Sequence, residues 1–212
     1  MATIAQNISR IQTAKADLKT AIEAKGVTVP SATTIDGYAT LVGQIQTGGG
    51  GTISDFAALI DRSITTVSIP SGVTIIGKHA FDECTSLAYA TISNGVITID
   101  DYAFCNCDSL TTVTIPNSVT TINQRAFYDC SYLESVTIGS GITSIGANAF
   151  NYCNRLASVT ILATTPPTLA NFAFSSNVSG RKFYVPAESV DAYKAANNWI
   201  NYAADIEAIP NS

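Results

Sequence analysis

Residues 110–138 read LTTVTIPNSVTTINQRAFYDCSYLESVTI, and the stretch ends by repeating its own beginning. Val113, Thr114 and Ile115 return as Val136, Thr137 and Ile138, and Leu110 returns as Leu133, each after 23 residues. The same interval separates four pentapeptides, AFDEC, AFCNC, AFYDC and AFNYC, which begin at Ala80, Ala103, Ala126 and Ala149. Cysteines at a fixed interval first suggest metal, disulfide or redox chemistry. The columns around them point to architecture instead.

Stacking residues 65–87, 88–110, 111–133, 134–156 and 157–180 aligns five units, the last one residue longer. One column holds Val67, Ala90, Val113, Val136 and Val159; two residues on come Ile69, Ile92, Ile115, Ile138 and Ile161. Apolar residues alternating with polar ones predict a short strand with one buried face. Further apolar columns follow: Val73, Val96, Val119 and Ile142; Ile76, Ile99, Ile122 and Ile145; Phe81, Phe104, Phe127 and Phe150; Leu87, Leu110, Leu133 and Leu156. Two columns, Gly72/Gly95/Ser118/Gly141 and Gly77/Asp100/Asn123/Gly146, are rich in residues that tolerate positive φ, so a repeated left-handed corner is expected there. Self-similarity at this period predicts a repeat solenoid, in which stacked coils bury one another's apolar side and the strands form a parallel sheet.

The rest of the chain is divided around this array. Residues 1–47 are expected to form an N-terminal helical hairpin: Ile4, Ile8, Ile11, Leu18 and Ile22 share one helical stripe, Pro30 breaks it, and Ile35, Tyr38, Leu41, Val42 and Ile45 continue. The alternative is a short oligomerisation stalk making a homo-oligomer through the same residues. Residues 48–52 are a Gly-rich linker, 53–64 an N-terminal cap, 65–180 five repeats, and 181–212 a C-terminal strand and helical cap. In that cap Val190, Tyr193, Trp199 and Ile200 are the residues expected to cover the last coil.

Composition excludes several functions. Only 13% of residues are charged, with a net charge of −5, which is unsuited to nucleic acid because phosphates demand clustered Lys and Arg. No apolar run is long enough to span a bilayer. MATIAQNISR has no basic start followed by an apolar run, so no secretory signal is visible.

Cys84, Cys107, Cys130 and Cys153 occupy one column, and Asn177 takes that place in the fifth unit. The expectation is a ladder of buried, reduced thiols that fill the interior and offer a weak donor to a turn. Neighbours in one column point the same way, which disfavours disulfides, and a column along an axis does not converge on a zinc ion. Cys105 stands outside the ladder and is expected to be a partly exposed thiol.

These residues resemble the BspA-like, or Treponema pallidum type, leucine-rich repeats. The likeness rests on I-P after the strand, an I-G corner, A-F, then C and S-L, over residues 65–180, and on the closing KFYVP…SVDAYKAANNW…YAADIEAI. The resemblance implies a solenoid fold and an extracellular or cell-surface protein that binds host proteins or other cells. AKADLKTAIEAKGVTVPSATTIDGYATLVGQI, residues 14–45, is similar to a helical segment of phage and prophage structural proteins, which implies a tail-fibre-like alternative on a virion surface.

No catalytic device emerges. His79 is the one histidine, and its column continues as Tyr102, Arg125 and Asn148, as a tolerant surface position would. Asp82-Glu83 and Asp100-Asp101 are the tightest acidic pairs and fit solvated or turn roles. GGGGT lacks the Lys of a phosphate loop. No metal ligand set, cofactor or catalytic residue is expected. The sequons at Asn7 and Asn177 carry weight only in an exported chain.

A partner is expected on the outward strand face, which presents Thr66 and Ser68, Tyr89 and Thr91, Thr112 and Thr114, Ser135 and Thr137, and Ser158 and Thr160. Such a flat, hydroxyl-rich surface suits a protein or glycan ligand on a cell surface; β-propensity alone, or an ice lattice, are the other readings. Tyr102, Tyr128, Tyr132 and Tyr152 are a second set of candidates, in different columns.

Overall fold

The computed structural model describes residues 51–52, 62–69 and 71–210, the first two as backbone only. The expected N-terminal hairpin or stalk, three of the five linker residues and most of the N-terminal cap lie outside the described residues. A two-residue strand, β1 (Gly51–Thr52), stands where linker was expected. Each coil then contributes one longer and one shorter strand: β2 (Thr66–Ile69) and β3 (Val73–Ile76), β4 (Tyr89–Ile92) and β5 (Thr98–Ile99), β6 (Thr112–Ile115) and β7 (Thr121–Ile122), β8 (Ser135–Ile138) and β9 (Ser144–Ile145), β10 (Ser158–Ile161) and β11 (Thr168–Leu169). β12 (Lys182–Val185), the helix α1 (Val190–Ala195) and β13 (Ile206–Ala208) close the described chain.

Two parallel sheets result. The larger runs β13-β12-β10-β8-β6-β4-β2 and the smaller β1-β3-β5-β7-β9-β11. Register follows the sequence columns: Val113 pairs with Val136, Ile115 with Ile138, and Ile99 with Ile122. A repeat of constant length can only pair like with like, so the period itself sets which face of each strand is buried. The extra residue of the fifth unit is absorbed before β11, because Ser158 still pairs with Ser135 while Ser144 pairs with Thr168.

The third side of each coil is a stack of turns through the Ala-Phe segment. Backbone bonds tie it from coil to coil: Phe81 N–H donates to Ala103 O at 2.7 Å, Phe104 N–H to Ala126 O at 2.7 Å, and Phe127 N–H to Ala149 O at 2.8 Å. Inside, the phenylalanine rings stack at 5.0–5.1 Å from Phe81 to Phe174, and Phe183 ends the column edge-on at 5.0 Å. All are buried, with the Ile, Leu and Val columns around them.

The left-handed corners are not where the Gly-rich columns put them. Within those columns Gly95 alone among the described residues has a positive φ, 157°; the repeated corners fall instead on His79, Tyr102, Arg125, Asn148 and Phe172, and on Glu83, Asn106, Asp129, Tyr152 and Ser176. A left-handed non-Gly residue costs about 1–2 kcal/mol, and here the corners from His79 to Asn148 and from Glu83 to Tyr152 are held by inter-coil bonds such as Tyr102 N–H to Gln124 O at 3.1 Å. Small residues in the Gly-rich columns answer a different need, the close approach of coils. A Cβ on Gly141 would lie 2.0 Å from Asn117 O.

The C-terminal cap is not one helix. α1 is six residues long, Asn198 takes φ 64°, a 3₁₀ segment covers Trp199–Asp205, and β13 extends the larger sheet. Trp199 and Tyr193 are fully buried, and each spends its polar atom on the last turn: Trp199 Nε1 donates to Pro167 O at 2.8 Å, and the Tyr193 hydroxyl to Ala163 O at 2.9 Å. The surrounding burial pushes the Tyr193 phenol well above its usual range. Val190 packs at the margin, but Ile200 is exposed, because the break at Asn198 turns it outward.

Candidate binding surface

The outward residues of the larger sheet form two files. In the first, Thr66 pairs with Tyr89, Thr112 with Ser135, and Ser135 with Ser158. In the second, Ser68 pairs with Thr91, Thr91 with Thr114, Thr114 with Thr137, and Thr137 with Thr160. Tyr89, Thr91, Thr112 and Thr114 are exposed, whereas Ser135, Thr137, Ser158 and Thr160 are half-buried. Both files then meet side chains of another kind: Ser158 pairs with Lys182 and Thr160 with Tyr184, and Lys182 Nζ lies 2.6 Å from Glu207 Oε1.

The hydroxyls of the two sheets differ in part in their use. Beside the smaller sheet three are spent within the protein: Thr120 Oγ1 donates to Ile97 O, Thr143 Oγ1 to Thr120 O at 2.9 Å, and Thr168 Oγ1 to Thr143 O at 3.1 Å. Ser118 Oγ likewise donates to Val96 O at 2.7 Å. None of Thr91, Thr112, Thr114, Ser135, Thr137, Ser158 and Thr160 makes a side-chain hydrogen bond to another described residue. The larger sheet therefore keeps its donors and acceptors for solvent or a partner.

The cysteines are buried thiols that serve the fold. Cys107 Sγ donates to Phe81 O at 3.2 Å, Cys130 to Phe104 O at 3.1 Å, and Cys153 to Phe127 O at 3.2 Å. Asn177 Nδ2 makes the same bond to Phe150 O at 2.8 Å, which explains why Asn replaces Cys and turns that sequon's amide inward. Phe174 has no further Cys above it, and Arg181 NH1 fills the place, donating to Phe174 O at 2.8 Å and to Asn177 Oδ1 at 3.0 Å. Sequence reasoning missed Arg181, whose buried guanidinium lies over both the Phe183 and Tyr202 rings. Burial lowers its pKa. Among the described residues no group of His, Cys, Asp and Glu converges as a metal site.

Cys105 is buried rather than partly exposed. The residue after each Phe lies in a tight turn that shields its side chain: Asp82, Tyr128 and Ser175 are half-buried there, and Asn151 is buried. Burial first, then the Asp82 carboxylate, pushes its thiol up to about 12.

The acidic pairs and His79 occupy ordinary surface roles. Asp82 Oδ2 accepts from His79 Nδ1 at 2.8 Å, Glu83 pairs with Arg62, and Asp101 Oδ2 lies 2.9 Å from Lys78. Asp100 Oδ1 accepts from Asn123 Nδ2 at 2.8 Å, a link between neighbouring coils. The His79 ring stacks on Tyr102 at 4.7 Å.

On the turn side, columns that are separate in sequence do meet. Arg125 lies over both Tyr102 (5.5 Å) and Tyr128 (5.3 Å) and donates to the Tyr102 hydroxyl at 2.7 Å. Tyr128 meets Tyr152 edge-on at 5.4 Å. Tyr132 sits with Arg155, whose guanidinium lies 4.0 Å from the ring centre.

A coil with two parallel strands, a thiol-filled turn and broad outer faces defines a leucine-rich repeat solenoid, a class that presents surfaces rather than clefts. The family model described as the BspA type leucine rich repeat region matches six copies across residues 52–186, and the chain belongs to that family. The matched span starts at residue 52, so the phage-like resemblance of residues 14–45 lies outside it. Among solved structures, the chain is similar to the leucine rich repeat protein of T. pallidum, at 26% identity and a TM-score of 0.50 over 76% of this chain and 80% of that one. It also resembles the pneumococcal vaccine antigen PcpA, with 18% identity and a TM-score of 0.51 over 68% of this chain and 40% of the other, which concerns the fold alone. A leucine rich cell surface protein of Faecalibacterium prausnitzii matches at 31% identity and a TM-score of 0.45, covering 64% of this chain and 41% of that one. No curated protein matches the chain.

Proposed function

We propose that this chain is a non-enzymatic binding module displayed on a bacterial or virion surface, which takes a cell-surface protein or glycan on the outward face of its larger sheet. One observation carries the reading: the hydroxyls from Thr91 to Thr160 stand in register without side-chain partners among the described residues, whereas Thr120, Thr143 and Thr168 beside the smaller sheet spend theirs internally. A ligand that meets this face desolvates groups that then need new hydrogen bonds, and a flat parallel array offers them at regular intervals. Display on a surface is what the family resemblance implies.

The test is binding of the full chain to glycan arrays and to immobilised extracellular-matrix proteins, with Thr114→Glu and Thr137→Glu as variants. A charge placed mid-face must be desolvated by any ligand that covers it. Binding that falls at least about tenfold, with unchanged denaturation midpoints, supports the reading. Binding that survives both variants removes the larger sheet as the site.

A further inference from the structure

The turn side of the solenoid is a second surface, built from other residues than the hydroxyl face. Its exposed groups are of a distinct kind. Tyr132 and Tyr152 are about half exposed, at 48% and 45%. Arg125 and Arg155 each rest on tyrosine rings, and neither has a carboxylate within ion-pair distance among the described residues. Arg62, Lys78 and Lys182, by contrast, each meet a Glu or Asp. Tyr and Arg are the residue types that dominate the energetics of protein interfaces, and here the rings and guanidiniums lock one another before any partner arrives. A side chain already held in place loses little entropy on binding.

We propose that this turn face is a docking surface for a protein partner that presents charges of both signs, with Tyr152 and the arginines Arg125 and Arg155 as its anchors. The charge pattern selects the partner class. Two guanidiniums call for carboxylates, while Asp108 and Asp129, the second with its carboxyl pushed up by burial first and then by the charge of the first, have no cation within ion-pair distance among the described residues and call for a Lys or Arg. A neutral or sulfated glycan brings no cation, and nucleic acid brings phosphates against those carboxylates. Sugar stacking also needs open ring faces, and guanidiniums already lie over Tyr102, Tyr128 and Tyr132. A protein surface meets all of these demands at once. This surface shares no residue with the hydroxyl face, so either assignment stands or falls by itself.

The experiment pans a displayed library of random peptides against the immobilised full chain, then measures synthetic copies of the recovered peptides by fluorescence anisotropy. Heparin and dextran are measured beside them. Recovered peptides are expected to carry both acidic and basic residues, to weaken as salt rises, and to lose at least about tenfold in affinity on Arg125→Gln or Tyr152→Ala. They should keep their affinity on Thr114→Ala. Arg155→Gln repeats the test if Arg125→Gln lowers the denaturation midpoint, since Arg155 makes no hydrogen bond within the described chain. Peptides that bind all variants alike overturn the proposal. So does binding of heparin or dextran that those variants abolish while no peptide is recovered.

Discussion

Replacing Phe127 by alanine removes the middle ring of the internal stack. Phe127 is fully buried, with the Phe104 and Phe150 rings each 5.1 Å away and nearly parallel to it. Neither neighbour can follow the truncated side chain, because each is held by bonds between coils, such as Phe104 N–H to Ala126 O. The cavity therefore stays largely open, and the loss is about 3–5 kcal/mol, including two ring contacts worth roughly 1 kcal/mol each. With a urea m-value of about 2 kcal/mol/M, the midpoint should fall by roughly 1.5–2.5 M. Thr114→Ala is the control, since its side chain is exposed and bonds to no described residue; its cost should stay under ~1 kcal/mol. Urea titrations of both variants, followed by Trp199 fluorescence and far-UV dichroism together, read the difference. Equal shifts would refute the division into inside and outside on which the whole architecture rests.

Two further outcomes test the ends and the turns of the array. Arg181→Met should destabilise the chain by about 1–3 kcal/mol, since Phe174 O loses its donor in a buried setting, with relief of a buried charge offsetting part of the cost; a neutral or stabilised variant would show that the guanidinium is no cap. Cys105 should resist iodoacetamide in the native protein at pH 8 and react once urea unfolds it, and mass spectrometry of the labelled peptide decides this. Its folded pKa is raised, so the unfolded chain gives up this proton first. Stability should then fall from about pH 9 to about pH 12, less steeply in Cys105→Ala, and an unchanged slope would contradict the burial.

The strands, their register and the buried columns were legible because a solenoid writes its hydrogen-bond offset into its period. Val113 had to meet Val136 as soon as the 23-residue interval was seen. What stayed hidden depends on groups that periodicity does not track. The left-handed corners fall on His79, Tyr102 and Arg125, and side-chain identity there says nothing of φ, since the bonds that hold these corners are made by backbone. Cys105 stands outside the cysteine column, so the period said nothing of its burial. The C-terminal cap looked helical by spacing, yet Asn198 and the pull of the larger sheet on Ile206–Ala208 divide it. The hydroxyl files were visible in sequence, but the contrast with the spent hydroxyls of Thr120, Thr143 and Thr168 was not, since both sets are the same residue types.

The thiol ladder shows why one column can accept Cys, Asn and finally a distant Arg. The demand at that position belongs to the coil before it: the carbonyl of Phe81, Phe104, Phe127 or Phe150 needs a donor inside the core. A thiol is small and weakly donating, which suits a filled interior. The amide of Asn177 also reaches Cys153 O and Ser175 O, and so suits the last turn, where a single carbonyl no longer describes the need. Beyond it the chain returns through Arg181, whose long side chain reaches back to Phe174 O across seven residues. The requirement is conserved in space while the residue that meets it changes, so regular cysteines in this chain mark a backbone acceptor and not a reagent.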